Sequence, residues 1–196
     1  MQEFDKRVAD LWIKTLGGLR AYQEYTFEAM VTTTTNSDVI AAAKNFERSK
    51  ENIYIFGPVG TGKSHLAIAA ARKYLREAQI CVLKMPVLSR RIRACQRADE
   101  EQEIIDDHRR SGVLIIDDIG SEKDTEFLIS ILYEIIDGRY MDQIGGLIVT
   151  SNLGLDALAV KLGSDRIPSR LAQMCQILSL EGELDYRLKK RGVKNA

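Results

Sequence analysis

An α/β fold, a five-stranded parallel sheet sandwiched by helices, is predicted by three features of the sequence. Short apolar or β-branched runs alternate with longer helical patterns, the order that builds parallel sheets. One run leads into a glycine-rich loop that opens a helix. Another, Val113-Leu114-Ile115-Ile116, is continuously apolar, as suits a strand covered on both faces, and ends in two acids, Asp117 and Asp118. The 196 residues suffice for one domain with a sizeable core. No internal repeat is visible and no linker separates two domains.

In chain order, Phe4, Val8, Leu11 and Trp12 lie on one helical stripe, broken at Gly17-Gly18. That helix either packs on its own domain or docks a partner. Residues 22–31, with Tyr22, Tyr25, Phe27 and Met30, form an irregular apolar segment placed where a chain could cover a base. Asn36 or Ser37 caps a helix running to about Ser49. The five expected strands are Asn52 to Phe56, Ile80 to Met85, Val113 to Asp118, Leu147 to Thr150 and Gln176 to Leu180. Between them the spacing predicts helices over Ser64 to Leu75, from Pro86 onward, over 99–110, from about Asp124 to Tyr140, and two short ones split by Gly163-Ser164.

The first strand runs into Gly57-Pro58-Val59-Gly60-Thr61-Gly62-Lys63-Ser64, which fits the phosphate-binding pattern G-x-x-x-x-G-K-[ST]. Strand, loop and helix follow in the order the motif needs. Glycines let backbone N–H groups wrap phosphate oxygens, and the helix N-terminus adds positive potential. Lys63 is expected on the β- and γ-phosphates of a nucleotide, and the Ser64 hydroxyl on Mg²⁺. Ligands of open α/β sheets bind outside the carboxyl ends of the strands. Asp117 is therefore expected to hold Mg²⁺, and Asp118 to orient or deprotonate the attacking water. This reading takes the acids to lie next to the P-loop strand. Asn152, at a strand end, can reach the γ-phosphate or the water. Arg166 and Arg170, four apart on a helix, can reach a phosphate of a neighbouring subunit or stay on the surface.

Composition narrows the class further. Lys+Arg and Asp+Glu both number 28, so the chain as a whole is no basic nucleic-acid binder and any such contact must be local. Cys81, Cys95 and Cys175 form no C-x-x-C pair, which leaves neither a disulfide framework nor a zinc site. No apolar run could span a bilayer. The acidic start lacks the apolar stretch of a secretion signal, so a cytoplasmic location is expected.

Five stretches together are similar to the DnaC/DnaI/IstB group of AAA+ ATPases, nearest to the bacterial and phage helicase loaders. They are Gly57 to Ala67, Leu114 to Gly120, Ile136-Asp137-Gly138-Arg139-Tyr140, Val149 to Leu153, and Leu162 to Arg166. The resemblance spans residues 50 to 190. It implies residues 51–196 as an AAA+ ATPase core, preceded by an N-terminal helical segment over 1–50, with no helical lid domain. It implies ATP or ADP with Mg²⁺ at Gly57, Pro58, Val59, Gly60, Thr61, Gly62, Lys63, Ser64 and His65. Asp117 falls on the Mg²⁺ aspartate, Asp118 on the catalytic acid and Asn152 on sensor 1. Arg166 falls on the trans-acting arginine finger, assisted by Arg170, and Arg187 on a late sensor. The helix carrying Arg90, Arg91 and Arg93 corresponds to one that binds single-stranded DNA in this group. The implied function is an ATP-hydrolysing helicase loader in DNA replication, acting as a homo-oligomer on single-stranded DNA and a replicative helicase. The alternative is an IstB-like transposition helper whose partner is a transposase. Asp118 stands where many relatives have Glu, so hydrolysis is expected to be slow, with ATP acting as a switch. A P-loop kinase is disfavoured by the acid pair and by the lack of an acceptor-pocket motif.

Overall fold

The computed structural model describes residues 18, 23–121 and 125–180. The helical stripe of residues 4–12, Tyr22 and Arg187 lie outside the described residues. An irregular segment from residue 23 leads to α1 (Ser37–Asn45) and β1 (Ile53–Phe56). Then follow α2 (Lys63–Arg72), β2 (Ile80–Lys84), α3 (Met85–Ala94), α4 (Ala98–Arg110) and β3 (Val113–Ile119). After them come α5 (Glu126–Met141), β4 (Leu147–Ser151), α6 (Leu155–Leu162), α7 (Arg166–Met174) and β5 (Gln176–Ser179).

The five strands form one parallel sheet in the order β2-β3-β4-β1-β5. Successive strand residues point to opposite faces, and each face has its own core. Ile53, Ile55, Val113, Ile115 and Ile148 pack under α1 and α2. Tyr54, Leu114, Ile116, Leu147 and Val149 pack under the helices from α3 to α7. A strand buried on both sides needs apolar residues at every position, which is why these runs do not alternate. In α2, Ala67, Ala69, Ala70 and Ala71 are all buried, so small side chains bring that helix close against the sheet.

Helix ends follow local chemistry. Thr125 caps α5, its Oγ1 accepting from Leu128 N at 3.3 Å. α6 stops at Gly163, whose φ of +64 suits a residue without Cβ. α2 ends at Arg72 and not at Leu75, because residues 73–77 turn instead. No helix among the described residues is long and apolar enough to cross a membrane.

The topology corrects one expectation. β3 does not neighbour the P-loop strand; β4 lies between them. The acids on β3 must therefore reach the loop across the end of β4.

Candidate nucleotide site

β1 hands the chain to Gly57, whose φ is +149. A Cβ there would stand 3.0 Å from the Leu180 backbone, and Leu180 N donates to Phe56 O in the adjoining edge. Only glycine allows that approach. Gly60 and Gly62 also hold positive φ, +84 and +95, and α2 begins directly after Gly62. The N–H groups of its first turn therefore point toward the loop. Lys63 is buried, and its Nζ donates to Gly57 O at 2.8 Å and Pro58 O at 2.7 Å. Thr61 Oγ1 donates to Pro58 O as well, at 2.9 Å. Val59, at the loop tip, is exposed.

The two acids reach this loop through an irregularity in β3. Ile116 pairs with Val149 and Ile119 with Ser151, so three steps on β3 match two on β4. This one-residue bulge contains Asp118 at φ +63. In a regular strand, consecutive acids would face opposite sides of the sheet; a bulge re-aims one of them. Aspartate tolerates the left-handed region better than most residues. Ser64 Oγ donates to Asp117 Oδ1 at 2.6 Å. Thr150 Oγ1 donates to the same oxygen at 2.9 Å and accepts from Asp118 N at 2.8 Å. Asn152 Nδ2 donates to Asp118 Oδ1 at 2.9 Å. One chain of contacts thus joins Ser64, Asp117, Thr150, Asp118 and Asn152.

These residues fit a nucleotide with a divalent cation. A hydroxyl and a carboxylate already in contact form the hard oxygen donor set that Mg²⁺ takes. Ser64 and Asp117 would hold the ion, which would supply charge neutralisation for the phosphates. The glycine-lined loop is an anion cradle. Asp118, held by Asn152, is a second carboxylate at the strand end, able to orient a water.

His65, though in the motif, directs its ring elsewhere. Its Nε2 lies 2.7 Å from Thr26 O, and it stacks on Tyr25 with ring centroids 4.9 Å apart. Met30 Cε lies 3.5 Å from where a Gly62 Cβ would stand. Residues 25–30 therefore do lie against the P-loop and the start of α2.

The arginines stand apart from this chain of contacts. Arg166 is exposed at the first residue of α7, with its guanidinium 5.9 Å from the centroid of the Tyr133 ring. Arg170 pairs with Asp137 at 2.6 Å, donates to Gln173 Oε1 at 3.0 Å and stacks over Tyr140. Its guanidinium joins α7 to α5. Arg90, Arg91 and Arg93 are exposed on α3, whose opposite face buries Met85, Leu88 and Ile92.

Two site residues escaped the sequence reading. Thr150 looks like an ordinary strand threonine; only its complete burial shows that its hydroxyl must be paired. Lys84 ends β2 opposite Asp117 in the strand register, and its Nζ lies 3.8 Å from Asp117 Oδ2. A lysine at a strand end carries no sequence signal. Burial disfavours the thiolate at two cysteines, pushing the Cys175 thiol up to about 12 and the Cys81 thiol above its ordinary value.

An insertion sequence IS21 ATP-binding protein of Pseudomonas aeruginosa is 30% identical over 187 residues, which cover 92% of this chain and 66% of that protein. The chain spans 38% and 48% of two other curated relatives. Among solved structures, the DnaC helicase loader superposes with a TM-score of 0.70 at 21% identity, covering 82% of this chain and 99% of that one. AMPPCP-bound DnaA from Aquifex aeolicus gives 0.68 at 20% identity, covering 89% and 57%. These two likenesses establish a P-loop fold of the AAA+ type. The family described as IstB-like ATP binding protein matches residues 6–194, and the chain belongs to that family.

Proposed function

We propose that the protein is an ATP-hydrolysing helper of DNA transposition, working with a transposase. The observation that carries the ATPase part is the contact chain from Ser64 through Asp117 and Thr150 to Asp118 and Asn152. It gathers a metal carboxylate, a second acid and an amide at the mouth of the P-loop. Lys63 and the loop amides bind the phosphates, Ser64 and Asp117 hold Mg²⁺, and Asp118 positions the water. The transposition part rests on the name of the IS21 relative, the best supported of the partner readings. The helicase-loader reading rests on motif resemblance and on likeness of fold, which leaves the partner open.

Exposed Arg166 suits a cation donated to the γ-phosphate of the next protomer, in a cytoplasmic homo-oligomer that closes around ATP. Arg90, Arg91 and Arg93 offer a solvent-facing cationic row to a DNA backbone. Arg170, bound to Asp137, supports the placement of α7 and thereby of Arg166.

Phosphate release from ATP, with and without single-stranded DNA and transposase, tests the reading. Lys63→Ala abolishes nucleotide binding. Arg166→Ala keeps ATP binding and loses stimulated turnover by about 10³-fold or more, the scale of an arginine finger. Stimulated turnover equal to the wild type in Arg166→Ala removes the trans role. Co-purification of a hexameric helicase in place of a transposase reverses the choice of partner.

A further inference from the structure

Lys84 is a cation at the metal carboxylate that the reaction outlined above leaves unused. Asp117 Oδ1 is taken by Ser64 and Thr150, and Lys84 Nζ stands 3.8 Å from Oδ2. Both oxygens of the carboxylate therefore face a donor or a cation. On local grounds the place is poor for lysine. Lys84 is also the N-cap of α3, where its side chain makes no cap hydrogen bond. Ser, Thr, Asp or Asn is preferred there, and a positive charge opposes the positive end of the helix. Attraction to Asp117 offsets that. The Asp117 side chain is 11% exposed and that of Lys84 52%. The carboxylate is held in place while the ammonium, on a flexible stem, is able to withdraw.

We propose that Lys84 is the resident counter-ion of the Mg²⁺ carboxylate and sets how much Mg²⁺ the site needs before it takes nucleotide. The inference rests on the nucleotide-site reading above. Ser64 can ligate a divalent cation through an oxygen lone pair while its hydrogen stays on Asp117 Oδ1, which leaves Oδ2 as the carboxylate oxygen open to the ion. Lys84 must move away from Oδ2, because it and the ion repel each other across a partly buried carboxylate. In the absence of metal the same ammonium favours a bound polyphosphate. Losing Lys84 therefore has two effects of opposite sign: metal enters more easily, and metal-free nucleotide binding weakens. A lysine that merely supports the fold produces neither.

The test is binding of a fluorescent ATP analogue to the full chain, from excess chelator through stepped Mg²⁺. In Lys84→Met the half-saturating Mg²⁺ falls by about 3- to 10-fold, and binding in chelator weakens by a similar factor, the scale of one partly screened charge. Lys84→Arg keeps both values near wild type. Lys84→Gln repeats the neutralisation with a hydrated tip, so the result does not depend on a single variant folding. A midpoint that stays put or rises in neutral variants with wild-type melting overturns the proposal. Wild-type protein that binds no analogue at any Mg²⁺ overturns the nucleotide-site reading itself, and the inference with it.

Discussion

Both rims of the sheet carry polar side chains, but they hold different things in place. At the rim where the strands end, Ser64, Asp117, Thr150, Asp118 and Asn152 bond mainly to one another. Bonds between side chains can be exchanged for a ligand. At the opposite rim Arg139 and Asn52 bond to the backbone instead, while Arg109 pairs with the Asp142 side chain. Arg139 is fully buried and donates to the carbonyls of His108, Arg109, Ser111 and Gly145. Two of these close α4, so the guanidinium caps that helix and ties it to the turn before β4. Burial draws Arg139 down to about 10, still charged at neutral pH. Asn52 acts similarly, donating to Met174 O at 3.3 Å and accepting from Leu147 N at 2.9 Å. Residue type therefore does not separate the two rims, and neither does backbone bonding alone, since Lys63 also donates to the carbonyls of Gly57 and Pro58. Arg139, bound to carbonyls, and Arg166, exposed at a helix start, are the same side chain in a buried and a solvent-facing setting.

The largest expected effect breaks the scaffold rim alone. Arg139→Met leaves carbonyls without their donor and costs about 3–5 kcal/mol in denaturant unfolding. Nucleotide affinity of the folded fraction stays as in the wild type. A direct loss of affinity would mean that the rims are not separable. Next, Thr150→Val keeps the shape and removes both hydroxyl bonds, stranding Asp118 N. Stability falls by about 1–3 kcal/mol, and Mg²⁺-dependent nucleotide binding weakens with it. A loss of stability alone would move Thr150 from site to scaffold.

The smallest effect concerns His108 at the scaffold rim. Burial holds its imidazole below the ordinary value of 6.5, although the contact to Ile104 O opposes this. The unfolded chain then binds more protons than the folded one just below that value. Stability therefore falls as pH drops through about 6.5 and levels off beneath the folded pKa. His108→Gln flattens this part of the curve in melts taken between about pH 5 and 7. An unchanged slope would assign the titration to another group.

Strand positions were legible because a parallel strand buried on both faces must be apolar throughout, and Val113 to Ile116 or Leu147 to Val149 can satisfy little else. The P-loop was legible because its glycines answer a backbone demand within eight residues. Other motif positions were visible without their reason. Asp137 holds Arg170 and Arg139 caps α4. Gly138 makes room for Arg109, whose Cδ would lie 2.7 Å from a Cβ there.

Local backbone chemistry and burial periodicity thus determined, from the chain alone, which segments are strands and where phosphate can be cradled. Tertiary structure decided the rest: that β4 separates the acids from the P-loop strand, and that a bulge turns Asp118 toward Asn152. It also set Thr150 and Lys84 on either side of Asp117. The physical reason is that strand order and register are properties of pairing between distant segments. Whether a threonine or a lysine is ordinary or part of a site depends on the neighbour that pairing supplies.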